Sequence, residues 1–149
     1  MRCGGLRIGV PVAYVRRAVP APLPVPLAGV SASVAGLVNF HGEPLVVLDP
    51  ACRGAAARDA VTLNSQIMII DAAHGPFGLL CDGVENARPL PAQAWHSLQD
   101  LMPGAGYLAA GTVADEGLIV LCDVDAWLSH KDMCDLEVAL ERRLAEVAL

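Results

Sequence analysis

"AGLVNFHGEPLVVLDP", residues 35–50, sets two apolar runs on either side of Asn39-Phe40-His41-Gly42 and ends the second run at Asp49-Pro50. Two short Val/Leu runs around a turn that closes in glycine predict a β-hairpin, with Gly42 supplying a positive φ at the tip. The second run, Leu45–Leu48, is continuously apolar, which predicts a strand buried on both faces. One imidazole, His41, stands at the tip of this apolar hairpin. A catalyst, a metal site and a docking surface are three readings of it, and the rest of the chain must choose.

Outward from the hairpin, proline and glycine cut the chain into short pieces, with 11 and 14 copies in 149 residues. Val10–Val15, Leu37–Phe40, Leu45–Leu48, Gln66–Ile70, Phe77–Cys81 and Leu118–Cys122 read as strands. Residues 18–26, "AVPAPLPVP", carry too many prolines for helix and read as extended loop. Residues 92–101 allow one or two helical turns before Pro103-Gly104. At the C-terminus, Met133, Leu136, Leu140, Leu144 and Val147 recur at steps of three and four. That spacing predicts an amphipathic helix over about residues 132–147, N-capped by Asp132 and packed on the strands. The fold class is therefore all-β with one terminal helix.

The hairpin also has an echo. "AGTVADEG" at 110–117 repeats the Ala-Gly, Val and Gly of "AGLVNFHG" at the same offsets, both glycine pairs lying 75 positions apart (111 minus 36, 117 minus 42). Each copy leads into an apolar strand that closes in aspartate, Asp49 or Asp123. Two related hairpins, one in each of two related barrels, are the structural reading.

Composition narrows the function. Hydrophobic residues make up 54% and charged residues 17%, so a packed core is expected. A net charge of −6 with scattered Lys and Arg excludes a nucleic-acid surface, which needs clustered cations. No apolar run reaches the roughly 18 residues that span a bilayer, and no signal-peptide pattern opens the chain. Five dispersed cysteines (Cys3, Cys52, Cys81, Cys122, Cys134) read as reduced thiols in a cytoplasm.

Catalytic constellations find no support. Cys81-Asp82 and Cys122-Asp123 follow apolar strands without a local signature tying them to a histidine, and read as small core residues. His130 and Cys134 could share a helix face, but no second pair completes a metal site. Gly104-Ala105-Gly106 lacks the strand–turn–helix context of a phosphate loop. Trp95 and Trp127 read as packing residues, and Asp49 and Asp123 as strand-end turn formers. No catalytic residue, cofactor or metal ligand is expected.

The hairpin "GLVNFHGEPLVVLD" resembles the central motif of CheW-like domains, the coupling adaptors of bacterial chemosensory systems, with Gly36, Asn39, Gly42 and Asp49 matching. The likeness continues in "IGVPVAYV" (8–15), the proline loop, "FGLLCDGVENARPLP" (77–91) and "LAAGTVADEGLIVLCDVDAWL" (108–128). The resemblance implies one domain over 1–149, made of two packed five-stranded SH3-like barrels with the C-terminal helix. It implies a non-enzymatic adaptor that binds the regulatory domain of a CheA-like histidine kinase and the cytoplasmic tip of a chemoreceptor. Its place would be the cytoplasm, at membrane-associated receptor arrays. The implied receptor side comprises Val15, Arg17, Asn39, His41 and Gly42. His41 stands where family members usually have arginine, and Arg17 where they often have an acid. The resemblance also gives a full apolar strand before the turn matched by Gly4-Gly5, whereas Met1-Arg2-Cys3 alone precede it here. A truncated first strand is the expectation, with either a start upstream of Met1 or an open barrel edge that another chain fills in self-association. An adaptor of a related pathway, controlling pili or surface behaviour, is a neighbouring reading. A barrel holding a small ligand between its halves and a cysteine-dependent enzyme are rivals of other classes.

Overall fold

The computed structural model describes residues 1–90, 96–97, 108–114, 117–127 and 130–147. Ten strands and a terminal helix run in the order β1 (Arg2–Cys3), β2 (Leu6–Gly9), β3 (Val15–Pro20), β4 (Val34–Phe40), β5 (Glu43–Leu48), β6 (Gln66–Ala72), β7 (Gly75–Cys81), β8 (His96–Ser97), β9 (Leu108–Ala114), β10 (Gly117–Cys122) and α1 (His130–Val147). They form two five-stranded sheets, β3-β6-β7-β5-β4 and β1-β2-β10-β9-β8. The all-β, SH3-like two-barrel class expected from the sequence is the one observed.

The first barrel closes through its own proline loop. After β3, Val25 bridges Leu37 of β4 by a reciprocal pair of backbone hydrogen bonds of 2.7 and 2.9 Å. Strand β3 thus pairs with β6 at one end of the sheet, and its continuation pairs with β4 at the other. Gly36 makes this closure possible. Its φ is +143°, and a Cβ there would lie 2.2 Å from the Val25 carbonyl oxygen. In the second barrel, Gly83 bridges Arg2 of β1, and β8 pairs with β9.

The two barrels repeat one another with a permuted chain order. In the first, the β6–β7 hairpin is antiparallel and β7 runs parallel to β5. In the second, the β1–β2 hairpin is antiparallel and β2 runs parallel to β10. The N-terminal hairpin therefore sits where β6–β7 would be, and the hairpins β4–β5 and β9–β10 take equivalent places one residue out of the sequence echo, since the tip pair Phe40–Glu43 corresponds to Ala114–Gly117 and Gly117 thus matches Glu43, not Gly42. Strand β1 has two residues where β6 has seven.

Burial follows the expected logic in β5, whose continuous apolar run serves two cores. Leu45 and Val47 enter the core of the first barrel with Ile67, Ile69 and Leu80. Leu48, on the other face, joins Met68, Ile70, Phe77 and Leu79 in a core shared with Met1, Cys3 and Ile8 of the second barrel. Strand β10 departs from the expectation at one end: Ile119, Val120 and Cys122 are buried, but Leu118 is exposed.

Four local readings need correction. Of Val10–Val15 only Val15 is strand, the first residue of β3; the chain leaves β2 at Gly9, and Val12–Tyr14 form a 3₁₀ turn in which Tyr14 N–H donates to Pro11 O at 3.0 Å. Proline 11 has no N–H to give a ladder and its fixed φ starts the turn instead. The "AVPAPLPVP" segment is not all loop, because β3 runs through Ala18–Pro20 along β6 before the prolines end it. Within the segment read as helical turns, His96–Ser97 is strand, and the other residues of 92–101 lie outside the described residues. Helix α1 begins at His130, so Asp132 lies inside it and does not cap it. Its stripe packs as expected at Leu136 and Leu140, beside Trp127 and Val124. The side chains of Met133, Leu144 and Val147 lie outside the described residues, as do Trp95, Gly104 and Gly106.

Candidate functional site

The β4–β5 hairpin turns at His41 (φ 52°) and Gly42 (φ 86°), two successive left-handed residues as a tight two-residue turn requires. Asn39 Oδ1 accepts the Gly42 N–H at 2.8 Å, a side-chain bridge that holds the tip closed. Asn39 and Gly42 therefore shape the turn, and His41 is displayed by it. The imidazole is exposed and meets the Phe40 ring edge-on, with centroids 4.3 Å apart at 65°. Phe40 in turn packs on the first-barrel core with Val19 and Ala21, which anchors the tip to the start of the proline loop.

The other two candidate residues lie on β3. Val15 is half-buried against the shared core. A bulge between Val15 and Arg17 interrupts the pairing with β6, so that Val15 faces Ile70 and Arg17 faces Ile69. Arg16, at the bulge, forms a two-pronged ion pair with Asp71, its Nε donating at 3.2 Å. Arg17 is exposed and has no ion pair among the described residues. The structure groups Asn39, His41 and Gly42 at one tip and Val15 with Arg17 on one strand. No hydrogen bond or ion pair joins the two groups, or Arg17 to His41, among the described residues.

Chemically this surface offers hydrogen bonding and, at Arg17, a guanidinium without an ion pair among the described residues. The thiols behave as core residues: burial pushes Cys3 up to about 12 and Cys81 to about 11, and raises Cys122 further still. Such thiols stay protonated at neutral pH and are poor nucleophiles. Exposed Cys52 is also raised, by partial burial and the nearby Asp49 charge. Among the described residues no three His, Cys, Asp or Glu side chains converge on one point. The side chains of His130 and Cys134 lie outside the described residues.

The sequence reading missed an ion pair below the hairpin. Asp49 is a strand-end turn former, as expected, with Oδ1 accepting from Ala51 N–H at 3.1 Å. It is also fully buried and bound by Arg53, whose Nε and Nη2 donate at 2.9 and 3.0 Å while its backbone N–H donates at 3.1 Å. Arginine four residues after a strand-closing aspartate is the signal that could have disclosed it. At the equivalent corner Asp123 has a lighter task, accepting Asp125 N–H at 3.2 Å.

Residues 1–132 match the family model of the CheW-like domain, and the chain belongs to that family. No curated protein matches the sequence. Among solved structures, the chain is similar to the crystal structure of the scaffolding protein TtCheW from Thermoanaerobacter tengcongensis. The TM-score is 0.69 at 14% identity, covering 87% of this chain and 90% of that one. At that identity the likeness is one of fold. No helix among the described residues is long and apolar enough to cross a membrane.

Proposed function

We propose that this CheW-like chain is a non-enzymatic adaptor of a bacterial chemosensory system, joining the regulatory domain of a CheA-like histidine kinase to the cytoplasmic tip of a chemoreceptor. The observation that carries the reading is the family match across 132 residues on a two-barrel fold. Its working place is the cytoplasm beside receptor arrays. The receptor side is the face offering Val15, Arg17, Asn39, His41 and Gly42. The exposed His41 imidazole and the Arg17 guanidinium, which has no ion pair among the described residues, favour a receptor tip with an acidic or hydrogen-bonding group opposite Arg17.

The test is a pair of binding titrations with the cognate kinase regulatory domain and receptor tip. Saturable binding of the kinase domain is expected. Arg17→Glu combined with His41→Arg reverses the charge pattern on two exposed positions, where substitutions cost little stability. This variant should keep its circular dichroism spectrum and its kinase binding while losing affinity for the receptor tip. Unchanged receptor affinity in a folded double variant would move the docking face elsewhere, and absence of kinase binding would remove the adaptor reading itself.

A further inference from the structure

Strand β3 carries two successive arginines, and a regular ladder would send them to opposite faces of the sheet. Val15 faces Ile70, so in an unbroken register Arg16 would face Ile69 and Arg17 would face Met68. Met68 is buried in the core shared by the two barrels, where a guanidinium could not keep its water. The bulge removes that conflict. Arg16 becomes the extra residue, Arg17 moves to the position opposite Ile69, and the small Ala18 takes the place opposite Met68. Directly opposed residues share a face, as do residues two apart on one strand. Arg17 therefore stands on the face of β6 that carries Ile69 and Asp71. Arg16 reaches the same carboxylate from the bulge.

Two cations thus stand beside one anion. Arg16 occupies both of its oxygens, Nε donating to Oδ2 at 3.2 Å and Nη2 donating to Oδ1. This two-pronged arrangement is the strongest that arginine and a carboxylate make. Asp71 is itself well placed to hold a cation still. The β6–β7 turn that follows it is tied to the second barrel, where Asp125 Oδ1 accepts the Ala73 N–H at 2.9 Å. Arg17 lies diagonally across from Asp71, two positions from its direct partner Ile69, a separation of about 7–8 Å that a long side chain spans. It makes no ion pair among the described residues. The Arg16 and Asp71 side chains are 46% and 50% exposed, so their pairing adds little to stability. Its consequence is the choice of which arginine is left over.

We infer that Arg16 is a positioning residue for the proposed receptor face: by holding Asp71 it keeps the Arg17 guanidinium free to meet an acidic or hydrogen-bonding group of the receptor tip. The inference rests on that reading of the receptor side. Without Arg16, the Asp71 carboxylate would capture Arg17. The face would then lose its cation although no residue proposed to touch the receptor had changed. The two arginines are therefore not interchangeable, despite their adjacency and equal charge.

The test has two arms, both on the intact protein, with circular dichroism confirming the fold of each variant. In the free protein, nitrogen-15 NMR of the arginine Nε–H groups reads which guanidinium is held. In wild type the Arg16 Nε–H should be protected from exchange and the Arg17 Nε–H averaged. In Arg16→Ala the Arg17 Nε–H should become protected, and adding Asp71→Ala should release it. This arm separates capture of Arg17 from a general loss of positive charge. In titrations with the cognate receptor tip, Arg16→Ala should weaken binding about tenfold, close to the loss in Arg17→Ala, as removal of one charge-assisted hydrogen bond would. Arg16→Ala combined with Asp71→Ala should recover most of that affinity. An Arg17 Nε–H already protected in wild type, or unchanged in Arg16→Ala, would overturn the inference. So would an Arg16→Ala protein that binds like wild type while Arg17→Ala does not, or a double variant without recovery. Wild-type affinity in Arg17→Ala would instead remove the receptor face on which the inference rests, and the NMR arm would show whether the capture of Arg17 had failed with it.

Discussion

Gly36→Ala separates two costs that a motif glycine can hide. The residue has φ +143°, in a region that L-residues avoid at ~1–3 kcal/mol. The new methyl carbon would also sit 2.2 Å from Val25 O and 2.7 Å from Val25 C, backbone atoms that cannot turn aside. Relieving that overlap means releasing the Val25–Leu37 bridge and its two hydrogen bonds, at about 0.5–1.5 kcal/mol each. Together the substitution should cost about 2–6 kcal/mol, a large part of the ~5–15 kcal/mol that holds a domain folded. Gly42→Ala is the control: its φ is +86°, but no atom lies within 4 Å of its added Cβ, so only the backbone cost applies. Urea unfolding followed by circular dichroism measures both, and exchange of the Leu37 amide reports the bridge. Gly36→Ala should be less stable than Gly42→Ala, with the Leu37 amide unprotected. Equal stability of the two variants, with Leu37 still protected, would refute barrel closure through the proline loop.

Asp49→Asn should destabilise by ~1–3 kcal/mol, because it removes the fully buried carboxylate that accepts from Arg53, whose own side chain keeps some contact with solvent; an unfolding free energy in urea equal to wild type would show the pair to be dispensable. Raised folded-state thiols contribute stability that is whole below the unfolded value of 9.0 and is lost as pH climbs toward the folded values, about 11 for Cys81 and 12 for Cys3. Urea midpoints should therefore hold level from pH 7 to about 8.5 and fall above 9, and a profile still level at pH 11 would contradict the burial of these thiols. In the native protein a thiol reagent should modify Cys52 and spare Cys3, Cys81 and Cys122, as mass mapping of the labelled chain would show.

The strands that the sequence discloses are those whose burial is a local property. Leu45–Leu48 and Ile67–Ile70 are apolar without a break because alternate residues feed two different cores, and that demand is written into each run. Strand β2 is harder to find, since "LRIG" carries a charge and a glycine and acquires its pairing from β10, more than a hundred residues away. The same distance hides the permutation by which the N-terminal hairpin completes the C-terminal barrel. At the tip, Asn39 and Gly42 were legible because their work is local: one closes the turn and the other tolerates its φ. The relation of Arg17 to His41 came from resemblance to a pair of residue types that this chain has replaced.

Glycine 9 shows how far a residue's meaning can depend on its partner strand. In sequence it is one of 14 glycines, in an unremarked position after an isoleucine. Opposite Leu121 it occupies the site of Gly78, where the missing side chain makes room for Ile67. A glycine in mid-strand loses packing and backbone entropy, about 0.5–1 kcal/mol relative to alanine, and is retained where something must approach closely. For Gly78 the approaching group is visible. At Gly9 the nearest atom among the described residues is Ile119 Cγ2, 3.4 Å from where a Cβ would sit, so the same residue type is under a lighter packing demand opposite β10 than opposite β5.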